Sequence, residues 1–166
     1  MKVLQISNYY YPLVGGTQAT CQYLSEGIKD EYDVHVVAFS EDKEDKEEEH
    51  NGVKVSKAGV FLMLLRQSLS FSYYKLLKKY IVEWKPDIIH FHHPNPFVMA
   101  LMLKLIPDDV KLYVHYHVDV TAQKVMYQFI KGIERKMLER ADMIATTSEN
   151  YKKSSPVLKD FQDKTV

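Results

Sequence analysis

The sequence predicts an α/β domain: a doubly wound, mainly parallel sheet with helices on both faces. Short runs rich in Val and Ile alternate with segments of helical period, the pattern of parallel strands buried between helices. The length of 166 residues and the 46% hydrophobic content fit a single core. Equal numbers of acidic and basic residues, 22 of each, leave no global field that would draw nucleic acid.

Strands are expected over residues 2–7, 33–39, 53–57, 87–92, 111–116 and 142–146, each a β-branched or aromatic run of strand length. The first helix should start near Gly16 or Thr17 and end about residue 29, turning Ala19, Tyr23, Leu24 and Ile28 to the sheet. A long loop, residues 8–15, leads into it. Further helices are expected over 70–84, 95–104, 123–140 and 148–160. Residues 41–49 hold seven acids against Lys43 and Lys46, and with Asn51-Gly52 this stretch reads as a solvated loop. The net charge there is −5, so the remainder carries +5 and the basic excess lies elsewhere. The polar tail to Thr165-Val166 reads as a domain boundary. The single cysteine, Cys21, excludes an intramolecular disulfide and fits a reducing compartment. The amino terminus turns polar too early for a signal peptide, and the apolar run 96–107 is too short to span a bilayer. A soluble cytoplasmic protein is expected.

Three places could carry chemistry. Gly15-Gly16-Thr17-Gln18 sits where loop becomes helix, so free N–H groups and missing side chains could receive an anion; a plain glycine turn is the competing reading. Neither G-x-G-x-x-G nor a P-loop is present. His115-Tyr116-His117-Val118-Asp119 follows the fifth strand, at the carboxyl rim where open α/β sheets bind ligands. Alternation places His115 and His117 on one side, where a neutral imidazole could donate to a sugar hydroxyl or carbonyl. His90-Phe91-His92-His93-Pro94-Asn95 ends the fourth strand on that rim, although His90, His93 and His115 could equally be ordinary structural histidines. Thr146-Thr147-Ser148-Glu149 follows the sixth strand, where Ser148 or Thr147 should cap the last helix.

The opening Lys2-Val3-Leu4-Gln5-Ile6-Ser7 with Tyr11-Pro12 and Gly15-Gly16, the His117-x-Asp119 after a hydrophobic strand, and Arg140-Ala141-Asp142-Met143-Ile144-Ala145-Thr146-Thr147-Ser148-Glu149 stand in a fixed order. In that order they resemble the amino-terminal domain of glycosyltransferase family 4. The resemblance spans the whole chain. It implies one Rossmann-like half of a GT-B enzyme, residues 1–166 as a single acceptor-side domain, with a donor-binding carboxyl-terminal domain outside this sequence. It also implies metal-independent, retaining transfer of a hexose from a nucleotide-diphosphate sugar, without cofactor, to a saccharide or lipid-linked acceptor in cell-surface polysaccharide or glycolipid synthesis. By that analogy Gly15, Gly16, Thr17 and Gln18 approach donor diphosphate and acceptor, and His117 reaches the donor sugar as the catalytic contact. His92, Asn95, Asp119, Ser148 and Glu149 would shape the cleft. Gln18 departs from the Glu common in relatives. The missing domain would supply the Glu-x7-Glu carboxylates; Glu41 and Glu49 share that spacing only within the acid-rich stretch. Residues 1–166 alone should therefore be inactive.

The basic excess gathers at Arg66, Lys75, Lys78 and Lys79, behind the apolar run 60–65, with Tyr73, Leu76, Leu77, Tyr80 and Trp84 on the opposite helix face. Such a patch suits an anionic membrane surface, peripheral on the inner face, or a helix packed on the sheet with solvated lysines. Two other functions compete. His115-x-His117-x-Asp119 resembles part of a zinc-hydrolase motif, though Val120 stands where the last histidine belongs. A non-catalytic nucleotide or saccharide binding module is the other.

Overall fold

The computed structural model describes residues 1–64, 67–119 and 124–166, with the side chains of 124–129 outside the description. Arg66, named above as a membrane-surface candidate, and Leu65 of the apolar run therefore lie outside the described residues.

The strands are β1 (Lys2–Ile6), β2 (Asp33–Phe39), β3 (Lys46–His50), β4 (Val53–Ala58), β5 (Leu62–Leu64), β6 (Gln67–Leu69), β7 (Ile88–His93), β8 (Lys111–Tyr116) and β9 (Met143–Thr146). The helices are α1 (Gly16–Ile28), α2 (Phe71–Lys78), α3 (Pro96–Leu105), α4 (Lys124–Arg140) and α5 (Glu149–Ser154). The main sheet runs β3-β4-β2-β1-β7-β8-β9, all parallel except β3. The order reverses between β1 and β7, the switch point at which doubly wound sheets leave a crevice outside their carboxyl ends.

One face of the sheet packs Leu4, Ile6, Val37, Phe39, Ile89, Phe91, Leu112 and Val114 against α2, α3 and α4, through Tyr73, Leu77, Met99, Met102, Met137 and Leu138. The other gathers Val3, Val34, Val36, Val53 and Val55 with Cys21 and Tyr10. Alternate residues of each strand thus serve opposite layers, as period 2 requires.

Three expectations need correction. The acid-rich segment is not simply a loop, because residues 46–50 form the antiparallel edge strand β3, turned into β4 by Asn51 (φ 50°) and Gly52 (φ 81°). Lysines neutralise it: Lys57 Nζ meets Glu48 at 2.5 Å, and Lys79 Nζ meets Glu47 at 3.3 Å. Within the apolar run 60–65, residues 62–64 pair antiparallel with 67–69. Helix α1 buries Cys21 and Ser25 while Tyr23 stands 74% exposed. Small residues let the helix lie close to the sheet, which turns the larger side chains outward. Finally, α5 ends at Ser154 ahead of Pro156, and a separate 3₁₀ segment, Leu158–Lys164, carries the chain on. Helix α2 likewise passes into a π-helical turn, Lys79–Glu83. Thr165 and Val166 pair with the strand at Ile144, where Val166 N donates to the Ile144 carbonyl at 2.8 Å.

Candidate functional site

Because β1, β7, β8 and β9 are parallel neighbours, the segments that follow them emerge on one rim of the sheet. Gly15-Gly16, His92-His93, His117 and Ser148 are all carried there. Hydrogen bonds tie the segments together. Asn8 Nδ2 donates to the Pro94 carbonyl at 3.0 Å, and Asn95 Nδ2 donates to Asn8 Oδ1 at 2.6 Å. Asn95 is buried, and its Oδ1 accepts from Val98 N at 3.0 Å as the cap of α3. Its amide is committed to the scaffold and braces the rim.

The loop 8–15 is held from three sides. Lys57, with no exposed side-chain surface, donates to the Tyr11 carbonyl at 2.6 Å. The Tyr11 ring stacks on His50 of β3 at 3.9 Å, and the Tyr9 hydroxyl lies 2.5 Å from Ser68 Oγ of the small hairpin. The acid-rich strand and the apolar hairpin thus position the segment that delivers the glycines. At the start of α1, Gly15 is extended (φ −179°, ψ 166°), and among the described residues no side chain caps the helix. Its first-turn N–H groups are left to solvent or ligand. Gln18 folds back over Gly15, its Oε1 2.5 Å from where a Cβ would stand, whereas a Cβ on Gly16 would meet nothing within 4 Å. The fold itself does not require glycine at position 16.

The histidines assemble into one cluster. His115 and His117 stack at 4.3 Å between ring centroids, nearly parallel at 8°, as alternation predicts. Along β7 His92 lies 4.7 Å from His90, and across to the end of β8 it lies 5.4 Å from His117. Nδ1 of His92 is 3.1 Å from Nε2 of His117, and its Nε2 is 3.1 Å from Gln5 Oε1. Burial, reinforced by the neighbouring histidines, pushes His92 well below the usual imidazole range. Burial first, then His115 and His93, lowers His117 to about 4, and His90 falls to about 4 chiefly through burial. Burial also lowers His115. The cluster is neutral at pH 7.

His93 points the other way. Its Nε2 lies 2.9 Å from Glu134 Oε1, both groups are buried, and its ring stacks on Tyr116 at 4.3 Å. Asp119 does not join the histidines: its Oδ1 accepts from Ser155 Oγ at 2.7 Å and from the Tyr116 hydroxyl at 3.1 Å. Among the described residues the three side chains whose donor atoms lie within 4.8 Å are His92, His115 and His117. The set His115, His117 and Asp119 required by a zinc hydrolase is therefore not assembled. Ser148 Oγ accepts from Tyr151 N at 3.2 Å as the cap of α5, and Glu149 pairs with Lys153 at 3.2 Å.

Residues 14–155 match the family described as Glycosyltransferase Family 4. The chain belongs to glycosyltransferase family 4. It is 32% identical over 168 residues to O-antigen chain mannosyltransferase C of Escherichia coli, covering 100% of this chain and 44% of that protein. To D-rhamnosyltransferase WbpZ of Pseudomonas aeruginosa it is 29% identical, covering 99% and 43%. The chain thus spans less than half the length of these curated relatives. Its fold is shared with sucrose-phosphate synthase from Thermosynechococcus elongatus (TM-score 0.65, 15% identity, 92% of this chain and 44% of that one). An α,α-trehalose 6-phosphate synthase from Burkholderia multivorans is also alike in fold (TM-score 0.54, 13% identity, 96% and 41%). These neighbours are GT-B glycosyltransferases, so the family 4 chain has the fold of one part of that architecture.

Three residues of this family 4 rim escape a reading of the sequence. Gln5 is a lone polar residue inside an apolar strand, which is the signal that could have marked it. Lys57 and Glu134 give none, since the Tyr11 carbonyl that Lys57 holds and the His93 that Glu134 meets lie far away in sequence.

Proposed function

We propose that this family 4 chain is the acceptor-side half of a retaining hexosyltransferase that uses a nucleotide-diphosphate sugar, with the donor nucleotide held mainly by a second domain. The observation that carries the reading is that an uncapped, glycine-led helix start and a neutral histidine cluster follow parallel strands on the same rim of the sheet. Departure of the nucleoside diphosphate builds negative charge on phosphate and positive charge on the sugar. Free N–H groups at the start of α1 oppose the first, and uncharged imidazoles do not repel the second. Transfer on this reading needs no metal or cofactor. The names of the relatives, an O-antigen chain mannosyltransferase and a rhamnosyltransferase, support a hexose donor and a saccharide acceptor in surface polysaccharide synthesis; a lipid-linked acceptor is part of the proposal. Residues 1–166 alone should give no transfer, whereas the same chain continued into a donor-binding domain should transfer and lose about 100-fold in kcat/KM on His117→Ala. Robust transfer by residues 1–166, or an unaffected His117→Ala enzyme, refutes the proposal. Tight nucleotide-sugar binding without turnover in the longer protein favours a binding module instead.

A peripheral membrane position on the cytoplasmic face is a further part of the proposal, supported by a different observation. Phe61, Leu62, Met63 and Leu64 are all exposed on the hairpin, Phe71 is 79% exposed, and Lys75 and Lys78 of α2 lie in solvent. Lys79 is drawn aside to Glu47. Among the described residues no helix is long and apolar enough to cross a membrane, so contact would be interfacial. Flotation with anionic vesicles and not with neutral ones is expected; equal recovery with both would remove this part.

A further inference from the structure

A polar line runs from the core of the sheet to its rim across three adjacent strands. Gln5, 1% exposed, lies in β1; His92, with no exposed surface, is the penultimate residue of β7; His117 follows β8. Gln5 Oε1 faces Nε2 of His92, and Nδ1 of His92 faces Nε2 of His117, each at 3.1 Å. An amide oxygen only accepts, so Nε2 of His92 carries a hydrogen. A neutral imidazole has one N–H, so Nδ1 of His92 is a bare lone pair. The contact with His117 then requires the hydrogen on Nε2 of His117, which leaves Nδ1 of His117 as an acceptor. Among the described residues that nitrogen has no hydrogen-bond partner.

We propose that Gln5 and His92 are positioning residues that fix His117 as the Nε2–H tautomer, so that the site meets its sugar with a hydrogen-bond acceptor. A donor sugar with a hydroxyl at that point is matched. A sugar carboxylate, as in a uronic acid, sets oxygen lone pairs against the nitrogen lone pair and is rejected. The sugar preference rests on the reading of His117 as a sugar contact; the tautomer does not.

The same nitrogens could also receive a transition metal, and the geometry speaks against it. The rings of His115 and His117 are stacked within 8° of parallel, so their in-plane lone pairs run side by side instead of converging on one point. A hydrogen-bonded chain needs only the contacts already made.

Nitrogen-15 spectra of the histidine-labelled chain at pH 7 read the tautomers directly. Nε2–H signatures on both His92 and His117 support the relay, and an Nδ1–H signature on either overturns it. Gln5→Leu and His92→Phe should each release His117 into a tautomer mixture while other imidazole signals hold; an unchanged His117 pattern in both variants overturns the assignment. A shift of the bonded nitrogens on adding micromolar zinc also overturns it, in favour of a metal site. In the two-domain enzyme, Gln5→Leu should lower kcat/KM for a neutral hexose donor about three- to tenfold, the worth of one hydrogen bond, and narrow the discrimination against the uronic analogue. Wild-type enzyme that prefers the uronic donor overturns the sugar preference.

Discussion

Deleting Glu48 should harm the protein more than deleting Lys57, although the two form one ion pair. Lys57 has no side-chain surface in water, whereas Glu48 keeps 34% and Glu41 30%. Glu48→Ala leaves an enclosed ammonium whose remaining partners are Glu41 at 3.7 Å and the Tyr11 carbonyl at 2.6 Å. Stranding one member of a buried pair costs about 3–5 kcal/mol, and the residual partners put this case near 3. Lys57→Met keeps the alkyl stem and removes the charge itself. The carboxylates then recover water, and the main loss is the donor to Tyr11, for a total of about 1–2 kcal/mol. At roughly 2–4 °C per kcal/mol for a chain of this size, melts followed by circular dichroism should fall by about 6–12 °C for Glu48→Ala and about 2–8 °C for Lys57→Met. The decisive variant is the double one, which should be more stable than Glu48→Ala alone because no buried cation is left behind. A double variant less stable than Glu48→Ala refutes the reasoning, for then lost packing outweighs the stranded charge.

Gly16→Ala should leave stability unchanged or raise it by up to about 1 kcal/mol, since a Cβ there meets nothing within 4 Å, yet it should cut transfer by the two-domain enzyme at least about tenfold; thermal melts and kinetics together check this. Gly59→Ala should do the reverse and destabilise by about 1–3 kcal/mol, visible in urea titration, because its Cβ would fall 2.1 Å from the Lys43 carbonyl oxygen. Stability should fall as pH drops from about 6.5 to 4. His35, His90 and His117 all sit at about 4 in the folded chain and near the usual value when unfolded, so the unfolded state binds more protons across that window. Each contributes at most about 1.4 kcal/mol per pH unit, less for the partly exposed His117, and urea midpoints at pH 7 and 5 test the sign.

The parallel core was legible because strands buried on both faces are near-continuously apolar, and runs such as Val36 to Phe39 fit nothing else. Charge hid β3. Glu47, Glu48 and Glu49 look solvated until the hairpin brings Lys57 of β4 to Glu48 and the fold brings Lys79, distant in sequence, to Glu47; yet Asn51-Gly52 between two extended runs is itself a hairpin signal. The phase of α1 was misread for a related reason, since bulk suggested that Tyr23 and Leu24 face inward while close packing selected Cys21 and Ser25. At the rim the histidines were visible as residues but their linkage was not. Gln5, His92 and His117 meet only because β7 is inserted between β1 and β8, and strand order has no local signature.

The same insertion explains why the cluster can stay uncharged on an accessible rim. His90 and His92 come from β7 and His115 and His117 from β8 or its end, so each ring excludes water from its neighbours. Protonating one imidazole would place its charge 4–6 Å from the others, which reinforces the lowering that burial begins. Burial alone would lower single histidines at these positions, and the neighbouring rings lower His90, His92 and His117 further. On the proposed function that lowering matters chemically. A protonated imidazole beside the sugar would oppose the positive charge that develops as the diphosphate leaves, while a neutral ring held by Gln5 and His92 accepts a hydroxyl and leaves that charge unopposed.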